Sequence, residues 1–349
     1  MTDPVVAATR SELVGSGRPV AIAGLPVGWT ARRWRGADDL AAYTAVVNDS
    51  WAADGLEIRT SEALEANELR HLDDFDLDRD LALVEAVGRV VAFARANVEL
   101  EDDGTVRHWS VVMARPEART DDAIRALLRW TEGYHRRRVA EGPPSDAPRR
   151  LGAWAAERET WWTAILQASG YAPARWFMDM VREPLTDLPV EPALPGLTID
   201  WAAASDLRDV LAASDEAFQD HWGHTAMTEA EIRAIIESPD ADPSLWAVAR
   251  DGDEIAGIVR GAVLKAENEA FGWRRGWISS VATRRPWRGR GVATALTIRV
   301  MAEMARRGLT SAALGVDTAN PSGAVGLYER LGFRTDQRFV ILFKPWPAG

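Results

Sequence analysis

Three pairs of positions recur along this chain at nearly one spacing. Arg95 and Arg260, Pro116 and Pro286, and Gly170 and Gly332 lie 165, 170 and 162 residues apart. Each pair sits in matching local sequence. VVAFARANVEL (90–100) parallels IAGIVRGAVL (255–264), SVVMARPEARTDDAIRALL (110–128) parallels SVATRRPWRGRGVATAL (280–296), and ILQASGY (165–171) parallels LYERLGF (327–333). Near-constant offsets of this size point to an internal duplication. The chain is therefore expected to fold as two copies of one unit, and 349 residues suffice for two ordinary domains. Pro184, Pro189, Pro192 and Pro195 oppose a continuous helix across 182–196, which reads as the linker. The expected division is an N-terminal extension (1–28), a first copy (29–181), the linker (182–196) and a second copy (197–349). EGPPSDAPRR (141–150) reads as a loop inside the first copy.

The second copy has the clearer pattern. LTIDWA (197–202) reads as a strand, and SDLRDVLAASDEAF (205–218) as a helix with Ser205 as N-cap. TEAEIRAIIES (228–238) opens with a capping-box pattern, Thr228 with Glu231. LWAVAR and IAGIVRGAVL flank a turn at Asp251-Gly252. GWISSVAT (276–283) is a strand, VATALTIRVMAEMARR (292–307) a helix, SAALGVDT (311–318) a strand, SGAVGLYERLG (322–332) a helix and RFVILFKPW (338–346) a strand. The expected order is β α α β β β α β α β.

Bulk composition narrows the function classes. The net charge of −11 argues against a general affinity for nucleic acid or an anionic membrane, so any anion site must be local. With no cysteine, disulfides, thiolate metal sites and cysteine nucleophiles are excluded, which fits a cytoplasmic location. MTDPVVAATRSELVGSG lacks the features of a signal peptide, and no run approaches the apolar length of a membrane span.

Between a strand and a helix lies RRPWRGRGVA (284–293), with Arg284, Arg285, Arg288 and Arg290 around Gly289 and Gly291. Glycines permit positive φ and close backbone approach. The unpaired N–H groups of a helix start attract anions, and a pyrophosphate fits such a cradle. A solvated basic turn and a nucleic-acid patch are the other readings of these residues alone. Neither GxxxxGK[ST] nor GxGxxG is present.

The segment Val281–Ala293, followed by Asn320, Tyr328 and Gly332-Phe333, resembles the GCN5-related N-acetyltransferase (GNAT) family. Arg288-Gly289-Arg290-Gly291-Val292-Ala293 matches that family's (R/Q)xxGx(G/A) loop in full. The resemblance implies an α/β (α+β) fold of two tandem GNAT-like domains, each a mixed, mostly antiparallel sheet flanked by helices. It implies acetyl-CoA as cosubstrate, a small-molecule amine as acceptor and no metal. Backbone groups near Val281 and Thr283 would hold the pantetheine arm and acetyl carbonyl. Those of Arg288, Gly289, Arg290, Gly291, Val292 and Ala293 would hold the pyrophosphate, with Asn320 touching the coenzyme. Tyr328 would protonate the departing thiolate. The expected activity is N-acetyl transfer by direct attack in a ternary complex. A non-catalytic acyl-CoA-binding sensor or scaffold is the alternative. Nucleic acid and membrane are not expected partners, and the chain is expected as a monomer or homodimer. A tandem with one degenerate half also resembles the mycothiol synthases in architecture, though no residue signature ties the chain to their acceptor.

The first copy departs from the motif. Arg119-Thr120-Asp121-Asp122 stands where the second has Arg288-Gly289-Arg290-Gly291, and Leu166 stands where Tyr328 does. Two carboxylates beside a pyrophosphate repel it. The first copy is expected neither to catalyse nor to bind the coenzyme, and to buttress the active half or wall its acceptor pocket. In this fold the acceptor lies against the first two helices and their connecting loop, here AFQDHWGHTAMTEAEI (217–232). Asp220, Trp222 and Asp317 are expected to contact the acceptor. His221 or His224 is the expected base, since imidazole accepts protons near neutral pH; Asp220 and Asp317 are its rivals. His71, His108 and His135 read as structural or surface residues, Trp161 and Trp162 as packing, and HLDDFDLDRD (71–80) as a solvated loop.

Overall fold

The computed structural model describes residues 13–320 and 323–347, which form two compact units. Unit 1 gathers the described residues up to Ala174 and those from Val340 onward; unit 2 is Arg175–Phe339. Residues 1–12 of the expected N-terminal extension lie outside the described residues. Its remainder lies in unit 1, where Leu13 and Ile22 are buried and the Val20 amide donates to the Ala31 carbonyl at 2.8 Å. The proline-rich stretch 182–196 belongs to unit 2: Leu185 is buried in its core, with Leu188 and Leu194 packed against that core.

In unit 1 the strands β1 (Thr30–Arg32), β2 (Leu81–Ala86), β3 (Arg89–Leu100) and β4 (Val106–Ala114) pair antiparallel in that order, and β5 (Arg149–Ala156) pairs parallel to β4. Period-two burial splits the core between two faces. Leu81, Leu83 and Phe93 pack under α1 (Asp38–Ala53) and α2 (Glu62–His71). Ala82, Val84 and Ala92 pack under α3 (Asp121–Glu141) and α4 (Thr160–Ala168).

Unit 2 repeats this plan. Strands β7 (Thr198–Trp201), β8 (Ala241–Asp251), β9 (Glu254–Ala262) and β10 (Arg275–Thr283) pair antiparallel, and β11 (Ser311–Asp317) pairs parallel to β10. Trp246, Val248 and Ile258 face α5 (Leu207–Phe218) and α6 (Glu229–Ile236). Leu245, Ala247 and Val259 face α8 (Val292–Arg306), whose Leu296, Val300 and Met301 are buried. The capping box at Thr228 forms as its spacing requires. Among the described residues no helix is long and apolar enough to cross a membrane.

Several elements differ from the sequence expectation. Ser205 does not cap α5: residues 204–206 form a 3₁₀ turn, and the Ser205 hydroxyl donates to Asp206 instead. A short helix α7 (Lys265–Phe271) intervenes between β9 and β10. The run 71–80 is not wholly solvated, because Asp80 is fully buried against Arg79 and Tyr134. His108 and His135 are buried 3.3 Å apart, and burial pulls them down to about 3 and about 4, so both are neutral packing groups. Trp162 is core, and Trp161 lies beneath the Arg119 guanidinium.

The last strand of each half is exchanged. β6 (Ala172–Arg182), from the first half of the sequence, pairs antiparallel with β11 inside unit 2 through Phe177–Arg182. β12 (Arg334–Pro345) closes the chain, and its Val340 and Leu342 are buried in the core of unit 1 with Leu127 and Leu151. Leu342→Ala therefore removes a buried side chain from unit 1 and is expected to cost about 3 kcal/mol of its stability. Denaturant unfolding measures this, and a cost below about 1 kcal/mol would contradict the core role of the exchanged strand.

Candidate functional site

The site begins where the sheet of unit 2 opens. β10 and β11 pair only over Arg275–Ile278 and Ser311–Leu314. Beyond this, β10 stays with β9 through Thr283, while β11 stays with β6 through Asp317. The Arg284 amide donates to the Ala256 carbonyl of β9 at 3.1 Å. Amides alternate edges along a strand, so those of Val281 and Thr283 point into the gap that β11 has left. A register irregularity between Ile278 and Ser280 marks the start of the opening.

Arg284–Ala293 continues from this edge. A 3₁₀ turn over Arg285–Trp287 drives Trp287 into the core, where its indole donates to Asp251 at 2.9 Å. Gly289 and Gly291 then take φ of 74° and 82°, the left-handed region that glycine occupies without strain. Gly291 is the N-cap of α8 and offers no capping side chain. The first helical bond runs from the Ala295 amide to the Gly291 carbonyl at 3.0 Å, leaving the amides of Val292, Ala293 and Thr294 ahead of the ladder. A Cβ on Gly289 would meet nothing within 4 Å, and one on Gly291 only a Leu194 methyl at 4.0 Å. The helix start thus faces open space with its positive end exposed. Gly257 brings β9 close to it: a Cβ there would lie 2.6 Å from Val292 Cγ1.

The arginines of this loop are engaged elsewhere. Arg288 donates to the carbonyls of Thr283 (3.0 Å) and Ala217 (2.9 Å) and to Asp220 (2.7 Å). Arg285 also pairs with Asp220, and Arg284 with Glu216. Arg290 reaches the Pro195 carbonyl at 3.3 Å. Hydrogen bonds from Arg285 and Arg288 hold the Asp220 carboxyl far below the ordinary range. Asp220 therefore clips the end of α5 to the loop.

The acceptor-side residues fall into two groups. Asp317, at the end of β11, is gripped by Arg175 through two bonds of 2.8 and 2.6 Å, and Arg175 lies 5.2 Å from the Trp222 ring centre. This ties Asp317 and Trp222 into one cluster. His221 and His224 line a separate cavity of about 490 Å³ in unit 2, with Ser214, Asp215, Arg260, Ser279 and Ser280 among its walls. His224 Nε2 lies 3.1 Å from Asp215 Oδ1, which also accepts the Met227 amide at 3.1 Å. The His221 ring packs edge-on to Phe218, and burial is the main reason its pKa falls below the usual 6.5.

Tyr328, on α9 (Ala324–Arg330), is buried beside Phe333, their ring centres 5.9 Å apart. Burial pushes its phenol up to about 12, so it is protonated at neutral pH. Its hydroxyl has no hydrogen-bond partner among the described residues. Asn320 ends the turn after β11, its amide donating to the Asp317 carbonyl at 3.2 Å.

Unit 1 presents the closed version of this loop. The Thr120 hydroxyl caps α3 by accepting the Ala123 amide at 3.3 Å, and Asp121 and Asp122 fill the first turn. Arg119 is locked onto Asp54 and Ser50. Leu166 is fully buried.

Two residues escaped the sequence reading. Asp215 lies nine positions before His224, and no local pattern marks their pairing. Arg260 served there only as an anchor of the repeat, although a charge inside the apolar strand IAGIVRGAVL was itself a signal.

Comparison with known proteins agrees with this geometry. The acetyltransferase (GNAT) family model matches residues 207–333. A mycothiol acetyltransferase of Streptomyces scabiei is 31% identical over 204 residues, 58% of this chain and 64% of that protein. One from Geodermatophilus obscurus is 28% identical over 84% of this chain and 90% of its own length. The chain thus spans slightly under two thirds of the first of these relatives. The crystal structure of a GCN5-related N-acetyltransferase from Sphaerobacter thermophilus superimposes with a TM-score of 0.69 at 27% identity, covering 93% of this chain and 98% of that one. Residues 207–333 thus match the acetyltransferase (GNAT) family, and the chain over most of its length is similar to a GCN5-related N-acetyltransferase.

Proposed function

We propose that unit 2 transfers an acetyl group from acetyl-CoA to the primary amine of a small molecule. The observation that carries this reading is the uncapped start of α8 beside the opened edge of β10. The amides from Gly289 to Ala293 would hold the pyrophosphate, as helix N-termini hold anions generally. Val281 and Thr283 offer amides to the pantetheine arm and to the acetyl oxygen. Amides fixed in a strand stabilise the developing oxyanion without reorganising. The acceptor nitrogen bonds to the acetyl carbon, the carbon–sulfur bond breaks, and the sulfur keeps the electron pair. Tyr328 donates a hydrogen bond, and finally a proton, to that sulfur. His221 takes the amine proton, directly or through water. It suits the role better than its rivals, because Asp220 and Asp317 are each held by arginine and His224 by Asp215. We assign no coenzyme binding to unit 1, whose helix start is occupied by its own Thr120 cap and two carboxylates.

Gly291→Asp places a side chain where there is room for one, at a left-handed position that strains it by roughly 1–2 kcal/mol, which the fold should survive. Its carboxylate occupies the anion cradle, and acetyl-CoA binding by calorimetry should disappear. Unchanged affinity would contradict the assignment. The wild-type chain should bind one equivalent of acetyl-CoA; two comparable sites would contradict a closed unit 1. Tyr328→Phe removes a hydroxyl that bonds to none of the described residues. It should lower kcat by roughly 10²- to 10⁴-fold with coenzyme affinity unchanged. An unaltered kcat would contradict the acid role, and coenzyme binding without turnover of any amine would favour a sensor. Protonated His221 cannot accept the amine proton, so kcat/KM should fall with acidity through a pKa below 6.5. If His221→Ala keeps that acid limb, His221 is not the base.

A further inference from the structure

One charge in the His221 cavity has no counterpart among the described residues. Arg260 sits in the middle of β9, opposite Trp246 on β8 and Ser280 on β10. Its guanidinium carbon lies 5.4 Å from the Trp246 ring centre. Its Nε is buried with no hydrogen-bond partner among the described residues, and the residue as a whole is half-buried on the cavity wall. No carboxylate of the described residues pairs with it. Burial alone pulls the group down, to about 10, with no acid counteracting the effect. At neutral pH it remains a cation at the wall of a small-molecule-sized cavity.

Neither acid in that cavity is available to it. Asp215 holds His224 and the Met227 amide, and Glu231 closes the capping box on the Thr228 amide at 2.8 Å. The duplication supplies an internal control. Arg95, the matching arginine of unit 1, is buried, and it is neutralised there by Glu68 at 2.8 Å and touched by the Tyr43 hydroxyl at 3.4 Å. An arginine serving only the fold is thus paired in one copy. In the other copy Ala234 and Ile235 of α6 reach the cavity, and the arginine is left open. A half-buried cation without a counter-charge is costly to keep, and a bound anion lowers that cost. Ser279 and Ser280 line the cavity from β10, and Ser280 immediately precedes Val281, whose amide is assigned to the acetyl group.

We propose that the acceptor is an amine that also bears a carboxylate, and that Arg260 binds this carboxylate and sets acceptor specificity. The planar guanidinium fork matches a carboxylate with two parallel bonds. The inference rests on the acetyl-transfer reading for the acceptor's identity, while the anion site itself can be tested without turnover.

The test uses alanine, phenylalanine and glutamate, each beside its α-carboxamide, with wild type, Arg260→Met and Arg260→Lys. Acetyl-CoA affinity serves as the check that each variant is folded. Wild type should favour the carboxylates in kcat/KM by about a hundredfold, the upper scale of a hydrogen bond to a charged group. Arg260→Met should bring that ratio to within about threefold by removing the bonds, and Arg260→Lys should retain part of it. An equal ratio in wild type and Arg260→Met overturns the proposal. Calorimetry with the same six compounds separates the two readings. Carboxylates binding wild type but not Arg260→Met, without turnover, sustain this site and count against acetyl transfer. Carboxylates and carboxamides binding alike to both proteins overturn the site, whatever the activity.

Discussion

After Ile278, β10 keeps its ladder to β9 and loses β11, which turns to β6 instead. One row of strand amides then has no strand to receive it, in a protein where buried amides must find partners. The next element compounds the demand, because α8 starts at a glycine that offers no cap. Two kinds of unsatisfied donor, a strand edge and a helix end, therefore adjoin one another along Val281–Ala293. The fold around them is arranged to keep them in place. Gly257 lets β9 approach Val292, Trp287 anchors the turn in the core, and Arg284, Arg285 and Arg288 fasten the loop to the end of α5. The arginines that dominate the sequence of this loop act mainly as fasteners, and the backbone supplies the donors.

The duplication shows how little separates a site from a scaffold. Unit 1 has the same parallel pairing, limited to Val106–Trp109 with Arg149–Gly152, so its sheet opens in the same way. Its helix start is closed by Thr120, Asp121 and Asp122, its arginine is bound to Asp54, and Leu166 fills the place of a phenol. Arg95 and Arg260 diverge likewise: one has its carboxylate, the other an open cavity. At the helix start and at the arginine of the second long strand, a donor left open in unit 2 is met by a side chain in unit 1.

Much of this was legible in the sequence because it is local. Strand alternation, the capping box at Thr228 and the Gly289/Gly291 spacing are short-range patterns, and the structure follows them. The duplication was legible because the two copies keep their anchors. What escaped was set by partners distant in sequence. The exchange of β6 and β12 depends on which sheet edge each strand meets, which no local pattern encodes. Ser205 looked like a cap but lost that place to a 3₁₀ turn. Asp220 and Asp317 looked like acceptor contacts, yet Arg285, Arg288 and Arg175 hold them in the structure. Asp215 and the isolation of Arg260 become visible only once α5, α6 and β9 are packed together.

Amide hydrogen exchange with and without acetyl-CoA tests the central claim most directly, because it reads the backbone donors themselves. The account predicts that acetyl-CoA slows exchange at Val281, Thr283 and the amides from Gly289 to Thr294, while residues 115–124 of unit 1 exchange as before. Equal protection of both segments, or none over 281–294, would contradict it.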